Sequence, residues 1–190
     1  MQNAINRKWL IVYSVIMVVL AAISPGFHLT LSAGNPDFGM TPITLAAVCL
    51  PWPIGVIAGV AKGVGAFCWT GGALIELAAV PGDILTALFT AWLVKRMHRS
   101  WAVILGQLSR FIITGGAVAI IIGSLVAFDV ISPGLSPIGN LTSSAWQNIV
   151  IIWKTLSYPV MAISIGLNMV ASLFLVWLFG DIIDLTLYRK

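Results

Sequence analysis

The sequence predicts an all-α integral membrane protein with six transmembrane helices, in a single domain that covers residues 1–190. Apolar residues make up 59% of the chain and charged residues only 8%, whereas a soluble domain devotes roughly 25% of its residues to charged types. The mean hydropathy is +1.03, and the shortage of charge extends along the whole chain. This amount of polar surface is too small to cover a soluble globular protein. The helices must therefore face lipid.

The first half of the chain contains three predicted helices. Residues 9–24 form an apolar run long enough to cross a hydrocarbon core of about 30 Å, and Pro25 and Gly26 end it. After a polar loop, residues 42–50 form a short second helix. A Pro-Trp-Pro turn separates it from the third, residues 54–69, whose glycines recur at roughly every fourth position. Small residues at this spacing favour close helix packing, so we expect the third helix to be central.

The second half contains the remaining three spans. A loop at 70–80 is predicted to precede the fourth helix, which begins after Pro81-Gly82-Asp83 and ends at the basic run 95–99. The fifth helix covers residues 101–128. A short interfacial helix at 146–153 then leads to the last spanning helix, which finishes near Gly180.

The distribution of cations predicts that both termini are cytoplasmic, in a multi-pass protein of the cell membrane. Short cytoplasmic loops are enriched in Lys and Arg. With the N-terminus inside, the cytoplasmic cations are Arg7, Lys8, Lys95, Arg96, Arg99, Arg189 and Lys190. Only Lys154 falls outside, while Lys62 and Arg110 lie within spans. The net charge of +4 therefore reflects topology, and no basic stripe predicts a nucleic-acid partner.

Three long connections, 25–41, 70–80 and 129–157, gather on the outer face in this topology. Long loops on a helical scaffold often carry function, so we expect a capped pocket that opens outward. The candidate substrate-binding residues are charged, amide and aromatic side chains in or near these connections. They are Asn35, Asp37, Trp69, Glu76, Asp83, Arg110, Trp146, Lys154, Tyr158 and Asn168.

Several of these candidates also have a structural interpretation. The aromatic side chains could stack on a flat heterocycle, but Trp and Tyr also anchor helices at every membrane interface. Arg110 could meet a ligand carboxylate or phosphate, pair with a protein carboxylate, or cap helix-end carbonyls. Asn168 could bind a ligand or another helix, and Lys62 is expected to serve packing or a salt bridge.

Motifs for catalysis, metal binding and nucleotide binding are missing from the sequence. It has no His-Glu-x-x-His, no Gly-x-Ser-x-Gly and no Gly-rich loop followed by Lys and Ser or Thr. Only His28 and His98 offer imidazole, and Cys49 and Cys68 lack the paired spacing of a metal site. We therefore expect no metal, no cofactor and no enzymatic activity, and any energy from ATP must come from another polypeptide.

Several segments carry glycine and proline patterns. The first are Asp37-Phe38-Gly39-Met40-Thr41-Pro42, the Leu-Pro-Trp-Pro-Ile-Gly turn at 50–55 and the glycine pattern of 56–63. They resemble the second and third helices of the substrate-binding S components of energy-coupling factor (ECF) transporters, most closely the riboflavin-type members. The Gly-Asp-Ile-Leu segment at 82–85, leading to Trp-Leu-Val-Lys-Arg at 92–96, resembles their fourth helix. Residues 159–175, with Asn168, resemble the last helix.

This resemblance implies a subunit that binds a vitamin or similar micronutrient in an outward cavity. It also implies partners, namely a transmembrane coupling subunit and two ATPase subunits that drive uptake. The alternatives are a small membrane enzyme and a scaffold subunit of a larger membrane complex. An enzyme would need convergent titratable groups, for which Asp37, Glu76 and Asp83 are the only plausible set.

Overall fold

The computed structural model describes residues 6–27, 36–131, 141–156 and 161–187. In these ranges the regular structure is helical and contains no β-strand, which confirms the predicted all-α class. The helices are α1 (Arg7–Ile23), α2 (Met40–Cys49), α3 (Trp52–Trp69), α4 (Leu74–Val94), α5 (Arg99–Ser109), α6 (Ile113–Ala127), α7 (Ala145–Leu156) and α8 (Ala162–Leu187), and a 3₁₀ turn, Ser24–Gly26, follows α1.

Five segments are long and apolar enough to cross a membrane, which fits a multi-pass membrane protein. They are Arg7–Gly26, Trp52–Trp69, Leu74–Val94, Arg99–Ala127 and Ala162–Leu187. The predicted second helix is present as α2, which has only ten residues and at 1.5 Å per residue is about 15 Å long. Its length sets it apart from the other five.

The central helix is α2, and the prediction that the third helix is central was wrong. Every residue of α2 is buried, as expected for a helix that is apolar on all sides. Helix α3 packs against α1, α2 and α4, but its outer face leaves Ile57 and Val64 about half exposed. The glycines of α3 face its neighbours, while the opposite face carries large apolar side chains.

The predicted loop at 70–80 is mostly helix, because α4 begins at Leu74 and contains Pro81. The turn itself is short and uses Gly71 and Gly72, whose φ values of 70° and 98° suit glycine. Gly82 does not mark a turn either. A Cβ built on it would lie 2.5 Å from the Cα of Thr114, so this glycine allows α4 to approach α6.

The predicted fifth helix is two helices, α5 and α6, with a short turn at residues 110–112. No glycine or proline stands at this break. The Phe111 carbonyl, which the break leaves outside the helix ladder, accepts a hydrogen bond of 2.9 Å from Trp153 Nε1 on α7. A Cβ on Gly123 would lie 3.1 Å from the Ile149 nitrogen, so α7 runs antiparallel along α6.

The last helix is longer than predicted, since α8 continues past Gly180 to Leu187. Asp181 and Asp184 therefore belong to the helix and not to a polar tail. Asp184 forms an ion pair with Arg99 at the start of α5, which gives this acidic turn a partner.

One end of the bundle collects both ends of the described chain and the turn between α4 and α5. The Asn6 nitrogen donates a hydrogen bond of 2.9 Å to the Leu187 carbonyl, and Tyr13 contacts Thr186 at 2.9 Å. The Arg99–Asp184 pair lies at the same end. We call it the closed end, because apolar side chains of α1, α2, α5 and α8 fill the space between these contacts.

Candidate functional site

A cavity of about 170 Å³ lies toward the other end of the bundle. Side chains from α3, α4 and α6, from the break after α5 and from the beginning of α8 surround it. The lining residues are Pro36, Asp37, Lys62, Ile75, Glu76, Ala79, Arg110, Thr114, Val118, Met161 and Ser164. Four of them carry charged side chains, so the cavity is a candidate site for a polar solute.

Arg110 lies on the buried side of this cavity and has few polar contacts with the described residues. Its side chain is 4% exposed, and its Nη1 donates only a long hydrogen bond of 3.5 Å to Gln107 Oε1. The Nε has no hydrogen-bond partner, and none of the carboxylates that the structure describes forms an ion pair with it. Because a buried charge is stable only when it is paired, Arg110 is a candidate for binding an anion.

The break between α5 and α6 explains how Arg110 reaches the cavity. Arg110 is the C-terminal cap residue of α5, and its carbonyl accepts hydrogen bonds from the backbone nitrogens of Thr114 and Gly115. Gln107 lies one turn earlier, and its Nε2 donates a hydrogen bond of 2.7 Å to Thr44 Oγ1 of α2. This bond anchors the end of α5 against the central helix and holds the residue that supports the guanidinium.

Lys62 is the other cation in the cavity wall, and it is fully paired. Its Nζ lies 2.8 Å from Asp83 Oδ2, and Thr114 Oγ1 donates to Asp83 Oδ1 at 3.2 Å. This confirms the prediction that Lys62 serves a salt bridge. Asp83 is 0% exposed and stands behind the cavity wall, so it reaches the cavity only through Lys62 and Thr114.

Asn168 connects three segments and is not among the lining residues. Its Oδ1 accepts from Thr41 Oγ1 at 2.9 Å, and its Nδ2 donates to the carbonyls of Asp37 at 2.7 Å and Ser164 at 2.8 Å. These contacts fit the interpretation that Asn168 binds another helix. Its effect on the site is to fix the backbone of Asp37, which does line the cavity.

Two carboxylates line the more accessible side of the cavity. Asp37 is half-buried, and its Oδ1 accepts a hydrogen bond of 2.9 Å from the Gly39 nitrogen. Gly39 lies close to Lys62, because a Cβ built on this glycine would be 2.9 Å from Lys62 Cε. Glu76, in the first turn of α4, is also half-buried. In the part of the chain that the structure describes, the Glu76 carboxylate has no hydrogen bond or ion pair.

The remaining candidates do not line the cavity or lie outside the described residues. Trp69 is 62% and Trp146 72% exposed, Lys154 is exposed, and all three are absent from the described cavity wall. Asn35 and Tyr158 fall outside the described ranges. The structure thus brings together Asp37, Glu76 and Arg110, supported by Asp83 and Asn168.

Sequence reasoning missed Thr114, Ser164 and the supporting Gln107. Gln107, Arg110 and Thr114 are spaced by three and four positions, and this is the spacing of neighbours on one helix face. Three polar side chains at that spacing in an apolar run could have marked the wall. Within the described ranges, no three His, Cys, Asp or Glu side chains come together to hold a metal ion.

No family model, no curated protein and no solved structure matches this chain.

Proposed function

We propose that the chain is the substrate-capturing membrane subunit of an ATP-driven ECF-type uptake transporter for a vitamin or similar small organic micronutrient, and not an enzyme. The observation that carries this proposal is the cavity whose buried side presents Arg110, which has no ion-pair partner among the described residues. An ionisable side chain inside a membrane bundle is functional by default. Lys62, by contrast, already has its partner within the protein.

The proposed topology has six spans, with both termini in the cytoplasm and the cavity open to the outside of the cell membrane. The closed end supports an even number of passes, because the start of α1, the end of α2 and the end of α8 all lie there. The basic turn 95–99 joins them through Arg99. Since cations mark the cytoplasmic side, the closed end is placed inside and the cavity toward the outside.

The proposed mechanism of capture is ion pairing in a site that excludes water. A ligand carboxylate or phosphate would accept hydrogen bonds from the guanidinium, including its unpartnered Nε, in the fork geometry that arginine offers. Around it, Ile75, Ala79 and Val118 supply apolar wall. Such a pocket, mostly apolar with a few converging polar groups, is the usual composition of a small-molecule site.

Energy for uptake is proposed to come from partner subunits. The sequence contains no nucleotide-binding motif, so a transmembrane coupling subunit and two ATPase subunits would supply it, as the ECF resemblance implies. Uptake of the ligand into cells that express the chain with and without such a module tests this part. Equal uptake in both cells would contradict the need for ATPase partners.

The capture role is tested with the purified chain in detergent. We expect mass spectrometry of the extracted protein to find a copurifying small molecule, and equilibrium dialysis to show that it rebinds. Arg110→Gln should lose the ligand, whereas Lys154→Gln, which changes an exposed cation outside the cavity wall, should retain it. A protein that binds no small molecule from an extract of its own cells would refute capture and favour a scaffold.

The enzyme alternative predicts a different result for the same ligand. Asp37 and Glu76 share one cavity, so an enzyme that uses them would convert the bound compound into a product. Asp37→Asn and Glu76→Gln would then abolish turnover while binding persisted. Recovery of the unchanged ligand after prolonged incubation with the native chain is the outcome expected of a capture subunit.

A further inference from the structure

We infer that the captured solute is a compact zwitterion, which binds with its anionic group deep on Arg110 and its cationic group toward Glu76 and Asp37. This inference rests on the proposed function, because it names the chemical class that the same cavity takes. It follows from the arrangement of charge, depth and volume in the cavity.

The deep end of the cavity is positive toward a ligand. Lys62 is neutralised by Asp83 behind the wall, so Arg110 is the lining cation whose charge is left for a ligand among the described residues. Its side chain is 4% exposed, so water reaches it poorly. An anionic group of a ligand would therefore displace little water from Arg110. It would gain charge-assisted hydrogen bonds in a low-dielectric site.

The accessible end of the cavity is negative. Glu76 and Asp37 line it and are half-buried, and Glu76 has no ion pair in the part of the chain that the structure describes. Arg110 is 4% exposed and Glu76 is half-buried, and no ion pair joins the two side chains among the described residues. The guanidinium therefore lies deeper in the cavity than the Glu76 carboxylate.

A ligand with one charge would satisfy only one of these ends. A solute with an anion alone would leave Glu76 without a counter-ion in a half-buried position, and a solute with a cation alone would leave Arg110 unpaired in the interior. Unpaired buried charges are unfavourable, so a solute that carries both signs is the complement of the cavity. The orientation of the solute is also fixed, with its anionic group at the deep end of the cavity and its amine at the accessible end.

The volume and the wall restrict the solute further. The cavity volume of about 170 Å³ is well below the range of about 300–1,000 Å³ for sites of drug-sized ligands. Ile75, Ala79, Val118 and Met161 form the apolar part of the wall. The solute is therefore the size of an amino acid, with a small apolar body between or beside its charges.

The test uses the purified full chain in detergent and the shift of its thermal unfolding temperature as the readout, because a ligand that binds only the folded state raises it. The probes are the twenty common α-amino acids, β-alanine and phosphoethanolamine. For each compound that stabilises the chain, the analogue without the amino group and the analogue without the carboxylate or phosphate are measured beside it. For leucine these are 4-methylpentanoate and 3-methylbutylamine.

We expect at least one zwitterion to bind, and each singly charged analogue to bind about tenfold to a hundredfold more weakly, because each lacks a charged hydrogen-bond partner. Arg110→Gln should remove the preference for the zwitterion over the amine. Glu76→Gln should remove its preference over the acid. Glu76 is half-buried, so the second variant keeps the test valid even if Arg110→Gln does not fold. Lys154→Gln should retain both preferences.

Two results would overturn the inference. One is an acid or an amine that binds as tightly as its zwitterion, and the other is a panel in which no compound raises the unfolding temperature. In either case a copurifying ligand of another class, found by mass spectrometry, would leave the capture function standing and refute only the zwitterion. A chain that neither copurifies nor binds any solute would refute the capture function itself.

Discussion

Three charged side chains inside the bundle, Lys62, Asp83 and Arg110, have different surroundings and therefore different roles. Lys62 and Asp83 form a pair of 2.8 Å that is closed off from solvent, and Thr114 completes the coordination of the carboxylate. Among the described residues, Arg110 has only a long hydrogen bond, with Gln107. The pair stabilises the wall, and we propose that the guanidinium binds the ligand.

Removal of one partner of the buried pair should strongly destabilise the protein. Lys62→Met leaves the Asp83 charge uncompensated, and we expect a loss of about 3–5 kcal/mol in the free energy of unfolding. The double variant Lys62→Met with Asp83→Leu should recover most of that loss, because no charge remains buried. Reversible unfolding in mixed micelles with a rising fraction of dodecyl sulfate measures both.

The control for this prediction is Lys154→Met, which removes an exposed lysine and should change the free energy of unfolding by less than about 0.5 kcal/mol. If Lys62→Met were as stable as this control, the buried ion pair would make no contribution to the fold.

At the scale of single residues, the sequence identified the buried charges but not their partners. Lys62 and Arg110 stood out because a charge within an apolar run is visible in the sequence alone. The bond from Asn168 to the Asp37 carbonyl joins residues 131 positions apart, and only tertiary packing creates it. Trp69 and Trp146 were ambiguous because interface anchoring and ligand stacking use the same residue types.

Between elements, glycines let helix backbones approach each other at positions where a side chain would not fit. A Cβ on Gly65 of α3 would lie 2.0 Å from the Ala22 carbonyl oxygen of α1. A Cβ on Gly82 of α4 would meet the backbone of Thr114 of α6 at 2.5 Å. Close backbone packing of this kind supplies much of the association between helices in lipid.

Gly65→Ala should therefore separate α1 from α3. We expect a loss of about 1–3 kcal/mol, because the added methyl group meets a backbone oxygen that cannot rotate away. Gly116→Ala on α6 is the matched control, since no atom lies within 4 Å of its added Cβ. Alanine there should leave stability unchanged or raise it by up to about 1 kcal/mol. Thermal unfolding in detergent compares the two, and equal unfolding temperatures would contradict the close approach.

The hydrogen bond from Trp153 to the Phe111 carbonyl should hold α7 on the break between α5 and α6. Trp153→Phe keeps the aromatic ring and removes the donor, at a loss of about 1 kcal/mol. Local opening of α7 should then increase roughly fivefold, which hydrogen exchange of the amides in Ala145–Leu156 measures. Trp146→Phe, which changes a largely exposed ring, should exchange as the native protein does.

The boundaries of the elements could be predicted where apolar runs end in a real turn, and not where packing replaces the turn signal. Pro81 and Gly82 resembled a loop, but the glycine is needed for contact with α6 and the helix continues through both. The break at residues 110–112 itself carries no glycine or proline, and the nearby pair Gly115 and Gly116 lies inside α6.

The whole molecule has two unlike ends, a closed end that gathers the ends of the described chain and an opposite region that contains the cavity. The closed end is held by an ion pair and by backbone and side-chain hydrogen bonds. The cavity region is held by polar contacts among α2, α3, α4, α6 and α8, such as those of Asn168 and Asp83. This asymmetry suits a protein that admits a solute from one side only.

Cysteine labelling tests the orientation of these two ends. In a background with Cys49 and Cys68 replaced by alanine, Lys95→Cys probes the basic turn and Trp146→Cys the start of α7. We expect a membrane-impermeant maleimide to label Trp146→Cys in intact cells, and Lys95→Cys only after the membrane is permeabilised, because the cations of the turn favour the cytoplasm. The reverse pattern would invert the protein and close the proposed route to the cavity.

The hydrogen bond of 2.9 Å between the Asn6 nitrogen and the Leu187 carbonyl means that the two ends of the described chain are adjacent. A short flexible linker could join Asn6 to Leu187, and the chain could be cut open in the exposed turn at residues 95–98, which lies at the same end. The old and new termini would then share one side of the membrane. Each helix of such a circular permutant would keep its direction and its neighbours, so the permuted chain should insert and fold with its cavity intact.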